Sequence, residues 1–250
     1  VAHGPKRADA IAAGYTFTTD ADNGAYSILS DDLAPSGYAY LLIASGRGTI
    51  ATCMFDDFHN EQEYLNRTVE AFKKKVDFEM ENKESFGGTG NIFMDPKIRK
   101  GKLLYAGEAA GFQDALFGFG MRYAMRSGYH AAKTLVEGSP EEYEKICKQH
   151  LFPMQKRSVV NRYLYDKFRS TAYRYLLKSL ERADDPRRWM KNYYQPHWLK
   201  NLLYPLARRA FVKTRELIPS HKEGCDCTYC DCTYCRCERE RDAQTTDPHS

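Results

Sequence analysis

The spacing of apolar residues differs between the start of this chain and its second half, and that difference constrains the fold more than any other feature. Between residues 15 and 55, four short runs rich in apolar and β-branched residues are separated by clusters of Gly, Asp, Asn, Pro and Ser. From about residue 118 to residue 217, apolar positions instead recur every three or four residues. The first pattern is typical of strands and turns, the second of helices. We therefore expect an α+β fold, with an antiparallel sheet followed by helices.

Individual elements can be placed on this outline. Strands are predicted at residues 15–19, 25–29, 37–44 and 49–55, with two more at 91–94 and 103–106. Asn60 and Glu63 have the spacing of a capping box and predict a helix that reaches about Phe78. A Gly-x-Gly-x-x-Ala pattern begins at Gly46, but the residues after it are β-branched and alternate, which predicts a hairpin turn and not a nucleotide-binding loop. Helix breaks are expected near 138–140, 184–186 and Pro196.

Composition excludes several classes of protein. The chain has 250 residues, of which 42% are hydrophobic and 28% charged, as in a folded globular protein and unlike a disordered chain. No apolar run approaches the roughly 18 residues of a membrane span. The first residues lack the features of a signal peptide, so we expect a cytoplasmic location.

Positive charge is concentrated in one stretch. Residues 151–220 hold 16 Lys and Arg against 5 Asp and Glu, and aromatic residues alternate with the basic ones. The favoured interpretation is an amphipathic helix pair with its aromatics packed inward. A second interpretation is peripheral contact with an anionic membrane, and nucleic acid is the least favoured partner.

The segment from residue 103 to residue 133 carries the features expected of a cofactor site. An apolar strand leads into Gly-Glu-Ala-Ala-Gly at residues 107–111, and Gly118 and Gly120 precede a long helix that contains many small residues. Glycines let the backbone approach a ligand closely, and a helix start offers unpaired N–H groups to an electron-rich group.

This segment closely resembles the second flavin-binding motif of the geranylgeranyl reductase family, which belongs to the p-hydroxybenzoate-hydroxylase-like FAD-dependent oxidoreductases. In that family the motif is Gly-Asp-Ala-Ala-Gly followed by a Gly-x-Gly helix start. The resemblance extends over most of residues 1–215 and identifies the fold as a remnant of the α/β FAD-binding fold. The Gly-x-Gly-x-x-Gly unit that binds the ADP half of FAD in the family is not found here, so we expect a C-terminal part of a longer protein.

The resemblance implies a set of cofactor-binding residues. Glu108, which replaces the family's Asp, would bond the ribityl chain of FAD, and Gly107 and Gly111 would shape the turn. The helix start would face the pyrimidine side of the isoalloxazine and stabilise charge on the reduced flavin. The implied set is Gly107, Glu108, Ala110, Gly111, Gly118, Phe119, Gly120 and Met121.

The resemblance also implies a reaction. The expected function is an FAD-dependent oxidoreductase that reduces C=C bonds of an isoprenoid or related lipid by hydride transfer from reduced flavin, with NAD(P)H or ferredoxin as the electron donor. Tyr38 and Tyr40 match aromatic positions of the family's substrate-domain strand and are candidate substrate contacts. No catalytic residue is assigned. A flavin monooxygenase is the alternative within the superfamily.

Six cysteines near the C-terminus predict a metal site. They alternate Cys-x-Cys with Cys-x-x-Cys spacing, and a thiolate cluster of this kind can bind zinc or an iron–sulfur centre. Zinc is favoured, with an iron–sulfur centre or a metal-free tail as alternatives. The six are Cys225, Cys227, Cys230, Cys232, Cys235 and Cys237.

These features divide the chain into four predicted parts. Residues 1–102 form a substrate-binding sheet domain with one helix, and 103–150 the C-terminal part of an FAD-binding domain. Residues 151–220 form a basic aromatic helical region, and 221–250 a Cys-rich tail. A second functional hypothesis is a non-catalytic metal-binding module that contacts nucleic acid or a protein partner, with a vestigial flavin-like segment.

Overall fold

The computed structural model describes residues 9–90, 92, 94, 97–195, 197–214, 218–219 and 234–235, the side chains of residues 59, 211–214, 218–219 and 234–235 excepted. These residues divide into two compact units. The first, called the sheet unit, holds the described residues up to 90 together with 218–219 and 234–235. The second, called the helical unit, holds the described residues between 92 and 214. Together they confirm an α+β fold.

The sheet unit is built on five antiparallel strands in the order β2-β3-β4-β1-β5. Their bounds are Ala10–Thr18 (β1), Gly24–Ile28 (β2), Tyr38–Ala44 (β3), Arg47–Met54 (β4) and Glu81–Gly90 (β5). Helix α1, Glu61–Lys73, lies between β4 and β5 in the sequence and buries Leu65 and Phe72 in the sheet's apolar core. The backbone of Ile218–Pro219 (β8) pairs with that of Tyr234–Cys235 (β9).

The β3–β4 hairpin confirms the prediction for the Gly-x-Gly-x-x-Ala pattern. Ser45 and Gly46 form its two-residue loop, with φ of 52° and 76°. Positive φ at both loop positions is typical of the tight turns that join antiparallel strands. Residues after the loop continue as β4, so this glycine pattern does not start a helix and does not form a dinucleotide-binding loop.

Two local predictions around α1 and β5 were wrong. The side chain of Asn60 does not cap α1 and instead donates to Asp57, 2.8 Å away, so the predicted capping box does not form. Of the strand predicted at residues 91–94, Ile92 and Met94 lie outside any strand, whereas β5, which ends just before them, has no counterpart in the prediction. Strand β5 is polar and glycine-rich, so its sequence lacks the apolar alternation that would have marked it.

The helical unit begins with a two-stranded ribbon, Arg99–Lys100 (β6) and Leu103–Leu104 (β7), and a 3-10 turn at Gly107–Ala110. Its helices are Met121–Glu137 (α2), Pro140–Ile146 (α3), Phe152–Glu181 (α4), Pro186–Tyr193 (α5) and Trp198–Thr214 (α6), with a π-helical turn at Cys147–Leu151 before α4. Arg169 has non-helical backbone angles, so α4 is two helical segments joined at a kink.

The predicted helix breaks at 138–140 and 184–186 are confirmed. Ser139 accepts a hydrogen bond from the N–H of Glu142 and Asp185 one from the N–H of Arg188, so each caps the helix that follows. Pro140 and Pro186 each occupy a first helical position, where a missing N–H costs no hydrogen bond. No helix among the described residues combines the length and the apolar character that crossing a membrane requires.

Candidate functional site

The predicted flavin-binding turn is held against the side of α2. Gly107 and Gly111 have φ of +57° and +84°, which glycine adopts without strain. The N–H of Gly107 donates to Oγ of Ser127 on α2 at 2.8 Å. A Cβ at Gly107 would lie 3.1 Å from the Cβ of Ala124, so the two small residues permit this close approach.

The loop between this turn and α2 is organised around the carboxylate of Asp114, which is 2% exposed. Its Oδ2 accepts hydrogen bonds from the N–H of Phe117 at 2.8 Å and from the hydroxyl of Tyr194 at 3.3 Å. The N–H of Gly118 donates to the main-chain oxygen of Asp114 at 2.9 Å. Oδ1 has no hydrogen-bond partner among the described residues. Asp114 therefore fixes the loop through one of its two carboxylate oxygens.

Helix α4 supports the loop from behind. The fully buried Arg162 donates from Nη1 to the main-chain oxygen of Leu116 and from Nε to Asp166, both at 2.8 Å. The hydroxyl of Ser158 accepts from the N–H of Ala115 at 2.9 Å. The bonds to Leu116 and Ala115 satisfy loop backbone groups that would otherwise be buried without partners.

Burial controls the charge of Asp114. Removal from water raises the pKa of this carboxyl from 3.8 to about 6, although the N–H of Phe117, the hydroxyl of Tyr194 and the positive charges of Arg122 and Arg162 act in the opposite direction. The group can therefore gain or lose a proton close to neutral pH.

A cleft of about 780 Å³ opens at the start of α2, and we call it the α2 cleft. Its volume lies within the range of small-molecule sites, about 300–1,000 Å³. Its walls combine apolar side chains, three cationic ones and the carboxylate of Asp114. The lining residues are Asp114, Gly118, Phe119, Gly120, Met121, Arg122, Pro186, Arg187, Met190, Lys191 and Tyr194.

The first turn of α2 contributes donors to this cleft. Gly120, Met121 and Arg122 lie at its N-terminus and line the cleft. The first N–H groups of a helix have no partner within the helix, and the helix dipole adds a partial positive charge there. Together with the side chains of Arg122, Arg187 and Lys191, this makes the cleft attractive to an electron-rich ligand.

The structure brings together half of the predicted cofactor-binding residues. Residues 118–121 line the α2 cleft, whereas Gly107, Glu108, Ala110 and Gly111 form the preceding turn and do not line it. The contact predicted between Glu108 and a ribityl chain stays a prediction.

Tyr38 and Tyr40, the predicted substrate residues, belong to β3 of the sheet unit. Their rings stack with centroids 6.1 Å apart, and burial raises the pKa of Tyr40 to about 12. Both side chains are half-buried, which suits packing as well as contact with an apolar ligand. Their predicted role in substrate binding stays a prediction.

The predicted metal ligands lie outside the described residues, except that the backbone of Cys235 is placed in β9. In the part of the chain that the structure describes, no group of three or more His, Cys, Asp or Glu side chains could hold a metal ion. Cys53 and Cys147 are free thiols. Neither zinc nor an iron–sulfur centre gains support from the described residues, and the metal site stays a prediction.

Sequence reasoning missed Asp114 and the residues from α5 that complete the cleft. Pro186, Arg187, Met190, Lys191 and Tyr194 line it, yet they lie more than sixty positions after Gly120. The signal that was present is the interleaving of basic and aromatic residues in this stretch. We interpret this pattern first as helices with inward-packed aromatics, and only second as a surface that contacts a membrane or nucleic acid, so it does not indicate the cleft.

No family model and no curated protein matches this sequence. Among solved structures, the chain is similar to a geranylgeranyl bacteriochlorophyll reductase-like protein from Thermoplasma acidophilum, with a TM-score of 0.54 and 17% sequence identity. The match covers 82% of this chain and 54% of the other, so this chain spans about half the length of that protein. At this identity the likeness shows the fold alone: the chain is distantly similar in architecture to that reductase-like protein.

Proposed function

We propose that this chain is part of an FAD-dependent oxidoreductase similar to geranylgeranyl reductases, and that it reduces C=C bonds of an isoprenoid or related lipid. The observation that carries the proposal is the α2 cleft, which is lined by residues 118–121, the helix start that the resemblance assigns to the flavin. The fold shared with a geranylgeranyl bacteriochlorophyll reductase-like protein supports it.

The residues of the cleft fit an isoalloxazine. This ring system is flat and largely apolar, with carbonyl oxygens and one N–H at its pyrimidine end. Phe119, Met121 and Met190 provide apolar surface, and the start of α2 provides donors for carbonyl oxygens. A Cβ at Gly120 would meet no atom within 4 Å, so its surface is open to a ligand.

Bound FAD, reduced by NAD(P)H or ferredoxin, would supply the hydride for one alkene carbon, while the other carbon takes a proton. The residues of this chain would hold the ring, exclude water and stabilise negative charge through the start of α2 and its three neighbouring cations. Asp114 is suited to hold the proton, because an acid with a pKa near the working pH can release a proton and regain one.

A titration with free flavin tests the proposal. The full chain is mixed with lumiflavin, which carries only the isoalloxazine, and in parallel with FAD, while flavin fluorescence and the visible spectrum are recorded. We expect saturable binding of lumiflavin and a shifted spectrum. If neither flavin binds, the proposal is wrong. If lumiflavin binds, reduction of a short isoprenoid alcohol by reduced flavin and the chain tests the substrate class.

A further inference from the structure

We infer that a second cavity, between α4 and α6, binds a phosphate group. It has a volume of about 190 Å³ and is lined by Lys156, Arg157, Lys200, Asn201 and Tyr204. None of these residues lines the α2 cleft, so the inference does not depend on flavin binding. We call it the α4–α6 cavity.

Three positive side chains meet at this cavity without a negative one. No Asp or Glu lines it, and among the described residues none of Lys156, Arg157 and Lys200 forms an ion pair. The surrounding sequence offers no counter-charge either, since residues 145–165 and 186–214 contain no Asp or Glu. Like charges gathered in this way repel one another unless an anion neutralises them.

The cationic groups are held by contacts that do not neutralise their charge. Nη1 of Arg157 donates to the main-chain oxygen of Tyr194 at 2.9 Å, while its Nε is buried with no hydrogen-bond partner among the described residues. Nζ of Lys200 donates to the main-chain oxygen of Tyr193 and lies 4.3 Å from the centre of that ring. Nζ of Lys156 lies 5.3 Å from the ring centre of Tyr204. Carbonyl oxygens and rings orient these groups but carry no net charge.

The surroundings of Lys200 lower the pKa of its amine. Burial, and after it the positive charge of Arg157, lowers the pKa of this amine from 10.5 to about 8. A bound anion would raise the pKa of both Lys200 and Arg157.

The size and donor set of the cavity suit phosphate. A water molecule occupies about 30 Å³ in the liquid, so the cavity has room for a tetrahedral oxyanion. Arginine binds such anions through paired N–H donors and lysine through a point charge, and the amide of Asn201 adds a neutral donor. The phosphate could belong to a small soluble compound or to a lipid headgroup.

Calorimetric titration of the full chain with inorganic phosphate is the first arm of the test. We expect saturable binding that weakens roughly tenfold or more in Lys200→Met, which keeps the apolar stem and removes the charge-assisted bond. Lys156→Met, at an exposed position, is the second variant and should fold normally if Lys200→Met does not. Lys178→Met, on the exposed surface of α4, has the same net charge as either variant and is the matched control.

Co-sedimentation with vesicles of phosphatidylcholine, with or without phosphatidic acid, is the second arm. Binding that requires phosphatidic acid and is lost in Lys200→Met assigns the site to a lipid phosphate. Binding of inorganic phosphate without vesicle binding assigns it to a soluble phosphorylated compound. The inference is overturned if neither ligand binds, or if Lys178→Met weakens binding as much as the cavity variants do.

Discussion

The hydroxyl of Tyr194 donates a hydrogen bond to Oδ2 of Asp114, with 3.3 Å between the oxygens, and so joins residues 80 positions apart in the chain. Tyr194 follows the end of α5, and Asp114 lies in the loop before α2. The bond therefore ties two walls of the α2 cleft together at a buried carboxylate whose second oxygen has no hydrogen-bond partner in the described part of the chain.

Tyr194→Phe should raise the pKa of Asp114 further, because the lost hydrogen bond favours the ionised carboxyl. It should also destabilise the protein by about 1 kcal/mol, the usual contribution of one hydrogen bond. Carboxyl NMR shifts followed over a pH series, with urea unfolding alongside, measure both effects. Tyr175→Phe, at a residue that is 66% exposed, is the control. An unchanged titration of Asp114 in Tyr194→Phe would contradict this account.

Asp114→Asn should change how stability depends on pH. The pKa of Asp114 is about 6 in the folded chain and 3.8 without the environment of the fold. A raised carboxyl pKa contributes stability that is fully present below pH 3.8 and is lost as the pH rises through about 6. The variant lacks this titration, so its free energy of unfolding should fall less between pH 4 and 6 than that of the parent chain. Urea unfolding across this range checks it, and parallel curves for the two chains would argue against a raised pKa.

Gly120→Leu should abolish lumiflavin binding without unfolding the chain. The new side chain enters the α2 cleft, where a Cβ meets no atom within 4 Å, and the backbone of Gly120 has a negative φ that any residue adopts. Gly128→Leu is the matched control, since a Cβ there also meets no atom within 4 Å but the residue does not line the cleft. Fluorescence titration of the two variants compares them. Equal binding by both would place the flavin elsewhere.

Arg162→Met should destabilise the helical unit by about 2 kcal/mol, because it leaves the buried main-chain oxygen of Leu116 without its donor. The loop that Arg162 supports contains Asp114, so lumiflavin affinity should fall as well. Thermal unfolding and the flavin titration give the two readouts. Arg182→Met, at an exposed position beyond α4, should alter neither.

Gly48→Ala should destabilise the sheet unit by about 1–3 kcal/mol, the usual cost of overpacking. A Cβ at this position of β4 would lie 2.1 Å from Cε2 of Phe17, whose ring is buried in the core. Gly88→Ala in β5 is the control, because its Cβ would meet no atom within 4 Å. Urea unfolding of the two variants measures the difference, and similar stability for both would show that the Phe17 ring moves aside.

Local sequence patterns were enough to predict much of the fold. The four strands β1–β4 were found because turn residues separate runs rich in apolar and β-branched residues, and the starts of α3 and α5 because Ser139 and Asp185 precede prolines. Strand β5 was not predicted, because its extended conformation is set by pairing with β1 and not by a pattern in its own side chains. It pairs with β1 between Ala10 and Thr18. The backbone N–H and C=O groups of β1 need hydrogen-bond partners, whichever side chains the pairing strand carries.

The sequence by itself determined the order of sheet and helices, the tight turn at Gly107–Gly111 and the glycines at the start of α2, since propensities and backbone constraints act over a few residues. Only the tertiary structure decided that Asp114 is buried beside Tyr194, that α5 closes a cleft over the start of α2, and that Lys156, Arg157 and Lys200 share a cavity. These relationships join residues far apart in the chain, and burial and charge proximity change a side chain's chemistry only after packing has brought such residues together.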